Sequence, residues 1–273
     1  MMNRFNKLAI PYAIWMAILV IVPIIIMVVL SFLDINGFNI ANAEFTLDNF
    51  RELKNPTYLR AFLRSMEFSF IATAICLAVG YPIAYIIHRS DFSNKYLVLL
   101  ILILPMWSNM LLRLKALQLI SLPEGFFNNT FGISFNFYGT PTAVILGMVL
   151  MYLPFMIFPI YTVLEKIDDS LIEAAQDLGA NKVKSFLKVT LPLSLKGVTS
   201  GVIMVFLPSA MGFTISDILG GEKIQLIGNI IERLFKRSFM YNLGSLLSLI
   251  IIILVIGSLF IISKVDKEGE TLL

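Results

Sequence analysis

Long uncharged runs alternate with short charged segments along this chain, and the runs are 8–33, 68–88, 96–112, 125–164, 197–216 and 238–263. A helix that crosses a bilayer needs about 20 mainly apolar residues. The fourth run is too long for one helix. Its first half is rich in Gly, Asn and aromatic residues, which favours an external loop before a helix near Pro141. The pattern predicts an all-α, polytopic membrane protein with six transmembrane helices.

Composition supports this class. Of the 273 residues, 58% are hydrophobic and 14% are charged, whereas a soluble domain carries about 25% charged residues. The net charge of +3 gives no reason to expect a nucleic-acid partner. There is no G-x-x-x-x-G-K-[ST] loop for ATP phosphates and no Cys/His cluster for a metal. We therefore expect no catalytic residues, no metal and no cofactor in this chain.

Charge placement predicts the orientation. Arg4 and Lys7 precede an apolar run of 26 residues, longer than the core of a signal peptide, so we interpret it as an uncleaved first span. The bias of Lys and Arg places both termini and the segment 165–196 in the cytoplasm. The predicted organisation is a first helix with an external segment (1–60), a core membrane domain with the remaining spans (61–264) and a cytoplasmic tail (265–273), in the plasma membrane.

The charged segment 165–196 reads as a helix, a turn and a second helix. Ser170 and Glu173 have the spacing of a capping box at a helix start. Gly179 can supply a left-handed stop because it has no Cβ, and Asn181 can begin the second helix. Apolar residues recur at helical spacing and form a small face: Leu171, Ala175 and Leu178.

The same segment carries an E-A-A-x-x-x-G pattern, followed by L-P-L at 191–193. It resembles the loop of type I ABC-importer permeases. In that family the loop forms a coupling helix that docks in a groove on a separate ATPase subunit. The resemblance implies a coupling role for Glu173, Ala174, Ala175, Leu178 and Gly179.

Four further segments resemble the permeases of spermidine/putrescine importers in particular: LPMWSNMLLRLKAL (104–117), LPFMIFPIY (153–161), LPSAMGFTISDILGG (207–221) and LIGNII (226–231). This likeness implies a polyamine as the solute. It also implies a complex with a second, homologous permease subunit, an extracellular solute-binding protein and two ATPase subunits that bind ATP and Mg.

Polar and aromatic residues within the runs are candidates for the solute path: Trp107, Asp217, Glu67, Asn109 and Tyr152. Trp107 lies about ten residues from the inner end of its run, roughly 15 Å deep. Glu67 can instead pair with Arg113, and Tyr152 can simply pack between helices. The sequence P-S-A-M-G at 208–212 predicts a broken helix, so 208–221 is a candidate gate. Gly197-x-x-x-Gly201 predicts a close approach of two helices.

Two other interpretations stay open. The first is a permease of the same class for another solute, such as an anion or an amino acid, because Arg113 and Lys115 would repel a polyamine unless they are paired. The second is a channel or an ATP-independent carrier. In that protein the E-A-A loop would have no purpose, and no inverted repeat is evident.

Overall fold

The computed structural model describes residues 2–34, 43–90, 94–122, 130, 132 and 137–265. Helices make up nearly all of this part of the chain, which confirms the all-α prediction. The long helices are α1 (Met2–Ser31), α3 (Pro56–Arg89), α4 (Lys95–Trp107), α5 (Met110–Ser121), α6 (Pro141–Leu164), α9 (Leu191–Met211) and α12 (Tyr241–Val265). The shorter ones are α2 (Asp48–Arg51), α7 (Asp169–Asp177), α8 (Lys182–Ser185), α10 (Thr214–Leu219) and α11 (Ile227–Lys236).

Irregular pieces connect these helices. A π-helical turn, Phe186–Thr190, links α8 to α9, and 3-10 turns occupy Glu52–Lys54 and Gly221–Lys223. Two strands of two residues, β1 (Leu33–Asp34) and β2 (Glu44–Phe45), pair antiparallel with Leu33 opposite Phe45. This ribbon follows α1.

Four helical stretches of the described chain are long and apolar enough to cross a membrane, or five if one bent pair counts as a single span: Ile10–Ser31, Pro56–Arg89, Pro141–Leu164 and Lys182–Met211, with Lys95–Trp107 plus Met110–Ser121 as the pair. The last helix, α12, adds a shorter apolar stretch, Tyr241–Gly257. The predicted start of the fourth span is confirmed, because α6 begins at Pro141. The Thr140 side chain caps it by accepting a hydrogen bond from the Ala143 N–H.

The third run was predicted as one span, and in the structure it is broken into two helices. The chain bends by 86° between α4 and α5. Ser108 and Asn109 both adopt extended backbone angles, and the Asn109 side chain accepts a hydrogen bond from the Leu111 N–H at 2.8 Å. An asparagine in this position caps a new helix rather than continuing the old one. The Arg113 and Lys115 side chains consequently belong to α5, beyond the bend.

Contacts divide the chain into two compact units, residues 1–61 with 230–257, and a larger unit that contains residues 62–229. Within the larger unit, α9 packs along α6. A Cβ placed on Gly197 would lie 2.8 Å from the Pro159 carbonyl oxygen, and one on Gly201 would lie 2.7 Å from the Met156 sulfur. The predicted close approach at these glycines is confirmed, and it places α9 directly against the backbone of α6.

Candidate coupling loop and solute path

The candidate coupling loop, residues 165–196, contains α7, and an aspartate caps the start of this helix. The Asp168 carboxylate accepts a hydrogen bond from the Ser170 N–H at 2.9 Å, and α7 starts at Asp169. This bond holds the pKa of the Asp168 carboxyl below its usual value, because it favours the ionised form. The predicted capping box at Ser170 and Glu173 is wrong. Asp168 reaches the free N–H groups first, so Ser170 lies inside the first turn rather than at the cap.

The predicted end of this helix is confirmed. Gly179 has φ of +86°. The Ala180 N–H donates to the Ala175 carbonyl at 3.0 Å, and the Gly179 N–H donates to the Gln176 carbonyl at 2.8 Å. This pair of bonds defines a Schellman motif, which satisfies the last carbonyls of a helix. Asn181 then caps α8 as predicted, by accepting from the Lys184 N–H.

The residues predicted to couple lie together on an uncovered surface. Glu173, Ala174 and Gly179 are exposed, and the Leu178 side chain is 90% exposed. Ile172 lies on the opposite side of α7, where its side chain is only 4% exposed and packs against this chain. Leu171, like Leu178, is exposed (48%). These two leucines, one in α7 and one at its C-terminal end, therefore form an apolar surface that the described part of the chain leaves uncovered.

An ion pair joins the start of α7 to the end of α3, and a hydrogen bond of Glu165, the residue after α6, joins that helix end to the start of α4. Arg89, the last residue of α3, lies 3.0 Å from the Asp169 carboxylate. Glu165 accepts hydrogen bonds from the Tyr96 hydroxyl of α4 at 2.8 Å and the Tyr161 hydroxyl of α6 at 3.4 Å. The sequence did not predict the contacts of Arg89 with Asp169 and of Tyr96 with Glu165, because these partners are 80 and 69 residues apart.

The second half of the loop is continuous with a membrane span. Helical structure runs without interruption from Lys182 to Met211. The π-turn inside this stretch carries Phe186, whose ring contacts Tyr81 and Tyr85 of α3 edge-on at 5.9 and 5.1 Å between centroids. The span was predicted to begin at residue 197, but its helix begins in the loop itself. One continuous helical segment, Lys182–Met211, therefore joins the candidate coupling loop to the predicted gate.

The predicted break at the end of this helical segment is confirmed. α9 ends at Met211, Gly212 is extended, and α10 resumes at Thr214. The Tyr152 hydroxyl donates to the Pro208 carbonyl at 3.4 Å and lies 3.5 Å from the position of a Cβ on Gly212. Of the predicted path residues, Tyr152 is the one whose side chain contacts this break.

Asn229, in the LIGNII segment, holds the break from the other side. Its carbonyl oxygen accepts from the Ser216 hydroxyl at 2.6 Å and the Leu226 N–H at 3.0 Å. Its amide nitrogen donates to the Phe213 carbonyl at 3.2 Å. We noted this segment only for its resemblance, and nothing in its spacing revealed the contact.

The remaining path candidates are exposed. Trp107, at the end of α4, is 89% exposed, and Asn109 caps α5. Trp107 follows Met106, which lines an apolar groove of about 180 Å³. Glu67 and Asp217 are exposed, and neither has a cationic partner within 4 Å among the described residues. The pairing considered for Glu67 and Arg113 is thus not formed.

The two cations of α5 differ in their surroundings. The Lys115 ammonium donates to the Gln118 carbonyl oxygen at 3.0 Å, and the Gln118 amide donates to the Ile218 carbonyl of α10 at 2.8 Å. Arg113 is partly buried, and its Nε has no hydrogen-bond partner in the described part of the chain. Lys115 is consequently engaged next to the gate, whereas the Arg113 Nε is left unsatisfied.

These features describe a multi-pass membrane protein with a helical loop between two of its spans, and comparison with known sequences places it in a family. The chain belongs to the inner membrane components of binding-protein-dependent transport systems, whose family pattern matches residues 2–265. It is 35% identical over 272 residues to the spermidine/putrescine transport system permease protein PotB of Haemophilus influenzae, covering 97% of this chain and 95% of that protein. It is also 35% identical to PotB of Escherichia coli, covering 86% and 88% of the two chains.

Solved structures show the same fold. A chain of a bacterial ABC transporter that imports the acidic polysaccharide alginate superimposes with a TM-score of 0.79 at 16% identity, covering 96% of this chain and 94% of that chain. A chain of the MetNI methionine ABC transporter gives 0.59 at 16% identity, covering 77% and 95%. The chain is therefore a multi-pass permease with the fold of type I ABC importers.

Proposed function

We propose that this chain is one of two permease subunits of an ATP-driven importer of polyamines such as spermidine and putrescine. The observation that carries the proposal is the 35% identity to a spermidine/putrescine permease over nearly the full length of both chains. A second, homologous permease would complete the solute path. A solute-binding protein would deliver the polyamine from outside.

The energy would come from two ATPase subunits, which would bind ATP and Mg and dock on α7. The uncovered Leu178 and the exposed Glu173 and Ala174 support this assignment. In this arrangement both termini and the segment 165–196 face the cytoplasm. A reporter enzyme that is active only outside the cell should therefore be silent when fused after Lys182, and activity there would invert the orientation.

Trp107 and Asp217 would line the path, with Glu67, Asn109 and Tyr152 as further contacts. Polyamines carry ammonium groups separated by methylenes, which favour carboxylates and aromatic faces. Trp107 would bind an ammonium by a cation–π interaction worth roughly 1–2 kcal/mol when water is excluded. The exposed, unpaired carboxylate of Asp217 next to the break supports a position at the outer gate.

Uptake of labelled spermidine into proteoliposomes that contain the whole complex tests this proposal. Asp217→Asn and Trp107→Ala should each lower uptake, by about tenfold for every 1.4 kcal/mol lost, while the complex still assembles and hydrolyses ATP. Asp48→Asn and Trp15→Ala are matched controls, because both side chains are exposed elsewhere. Wild-type uptake by the two path variants over a range of spermidine concentrations would place the path elsewhere.

An acidic or zwitterionic solute is the second candidate. The observation that favours it is Arg113, a partly exposed cation of α5 that has no ion pair in the described part of the chain and could bind a carboxylate. Competition separates the two candidates. Unlabelled putrescine should suppress spermidine uptake, and glutamate should not. Suppression by glutamate alone would support the acidic solute, and uptake that continues without ATP would indicate a carrier or channel instead.

A further inference from the structure

The segment 226–229 forms a junction against the broken helix. Besides its bonds to Ser216 and Phe213, it receives support from α3, since the Ile227 N–H donates to the buried Ser65 hydroxyl at 2.9 Å. Gly228 lies so close to the break that a Cβ there would overlap the Met211 carbonyl oxygen. The break is therefore held by a specific set of contacts rather than by the missing N–H of Pro208 alone.

The asparagine suits this position because it offers a donor and an acceptor at once. The amide nitrogen satisfies the Phe213 carbonyl, and the amide oxygen satisfies the Ser216 hydroxyl and the Leu226 N–H. Leucine has a similar size but neither group. The Ser216 hydroxyl and the Phe213 carbonyl also bond each other at 2.9 Å, and that carbonyl accepts from the Asp217 N–H at 2.8 Å. Loss of Asn229 would therefore remove the acceptor of the buried Leu226 N–H and two of the contacts that hold the break, and an unmade buried hydrogen bond is costly.

The orientation of the gate follows from this contact. Ser216 is fully buried against Asn229, and the next residue, Asp217, is exposed. On this six-residue helix Ile215, Ser216, Ile218 and Leu219 are buried and Asp217 is exposed, so a helix held with Ser216 inward keeps Asp217 outward. On the other flank of α10, Gln118 holds the Ile218 carbonyl. Asp217 lies between these two fixed residues, and its carboxylate has no cationic partner among the described residues.

We propose that Asn229 is a positioning residue that holds the interrupted helix and presents Asp217 to the outer end of the path. The inference deepens the proposed function and rests on it for the transport readout. Its geometric part, the exposure of position 217, is independent of which solute is carried.

A thiol-accessibility experiment reads that geometry directly. The chain has one cysteine, the buried Cys76, so Cys76→Ala gives a cysteine-free chain into which Asp217→Cys is placed. In the assembled complex, a membrane-impermeant thiol reagent should label position 217 on this chain readily. Adding Asn229→Leu should change the labelling rate by about tenfold, as expected for hydrogen bonds of roughly 1 kcal/mol each.

Uptake is then measured with Asp217 intact. Asn229→Leu should lower polyamine uptake by about tenfold, because leucine can neither donate nor accept these bonds. Ser216→Ala and Ser209→Ala form a matched pair. Both serines are fully buried and bond the carbonyl three residues back, but Ser216 also reaches Asn229. Ser216→Ala should lower uptake, and Ser209→Ala should not.

The outcomes are distinguishable. Changed labelling at position 217 with no polyamine uptake in the wild type supports the positioning role and overturns the solute. Unchanged labelling and unchanged uptake with Asn229→Leu overturn the positioning role. If Asn229→Leu fails to assemble, Ser216→Ala decides the question, since it removes a single hydroxyl. Equal uptake and equal labelling in Ser216→Ala and Ser209→Ala would then refute the proposal.

Discussion

Leu178 offers a sharp test of how this chain engages its ATPase. The side chain is 90% exposed in the chain by itself, so its truncation removes almost no contact within the permease. Fully burying a leucine is worth roughly 1.5–3 kcal/mol. If Leu178 inserts into a groove of the ATPase subunit, Leu178→Ala should cost up to about 2 kcal/mol of docking energy, which corresponds to roughly 30-fold in affinity.

The assay is a titration of the detergent-solubilised permease pair with the ATPase subunit, followed by ATP-driven uptake in proteoliposomes. Weakened docking should be overcome by excess ATPase, because mass action restores the complex. The thermal stability of the permease should not change.

Ile172→Ala is the matched control on the same helix. Ile172 is 4% exposed and faces this chain, so its truncation should lower the stability of the loop by about 2–5 kcal/mol, and excess ATPase should not repair a destabilised loop. The reasoning about the uncovered face is refuted if Leu178→Ala binds the ATPase with wild-type affinity and drives uptake at the wild-type rate.

Three further predictions concern backbone strain, charge and packing. Gly179 has a left-handed backbone with φ of +86°, which Asn and Asp adopt at a lower cost than other side chains. Gly179→Asn should therefore keep most ATP-driven uptake, and Gly179→Asp should uncouple uptake from ATP hydrolysis by adding a charge at the docking surface; normal ATP-driven uptake with Gly179→Asp would count against this. Charge reversal at either Arg89 or Asp169 should weaken coupling, and the double reversal should restore part of it, with effects below about fivefold because the pair is exposed; additive losses would contradict a direct interaction. Gly201→Ala should lower the melting temperature of the complex, since overpacking costs about 1–3 kcal/mol, whereas Gly257→Ala, with open space around it, should not.

The sequence by itself determined the class of protein and several local features. Uncharged runs exclude a soluble domain, and the E-A-A pattern predicted the family that the comparisons then confirmed. Gly179 and Pro141 act within one turn of the chain, so the left-handed helix end and the start of α6 could be predicted from neighbouring residues alone. The break after Met211 could also be predicted, because Pro208 lacks a backbone N–H and Gly212 has a low helix propensity, but the contacts that hold it could not.

Only the tertiary structure decided which side chains meet across the fold. The α7 pattern permitted an apolar face, but packing against the rest of the chain decided that Ile172 is buried and Leu178 is not. Asp168 displaced the capping box, since it reaches the helix start first. The contact between Ser216 and Asn229 joins helices that the sequence pattern treats separately. The reason is physical. Periodicity determines which residues share a face of one helix, but the Asn229 amide and the Ser216 hydroxyl can bond only when the packing of whole helices brings them together.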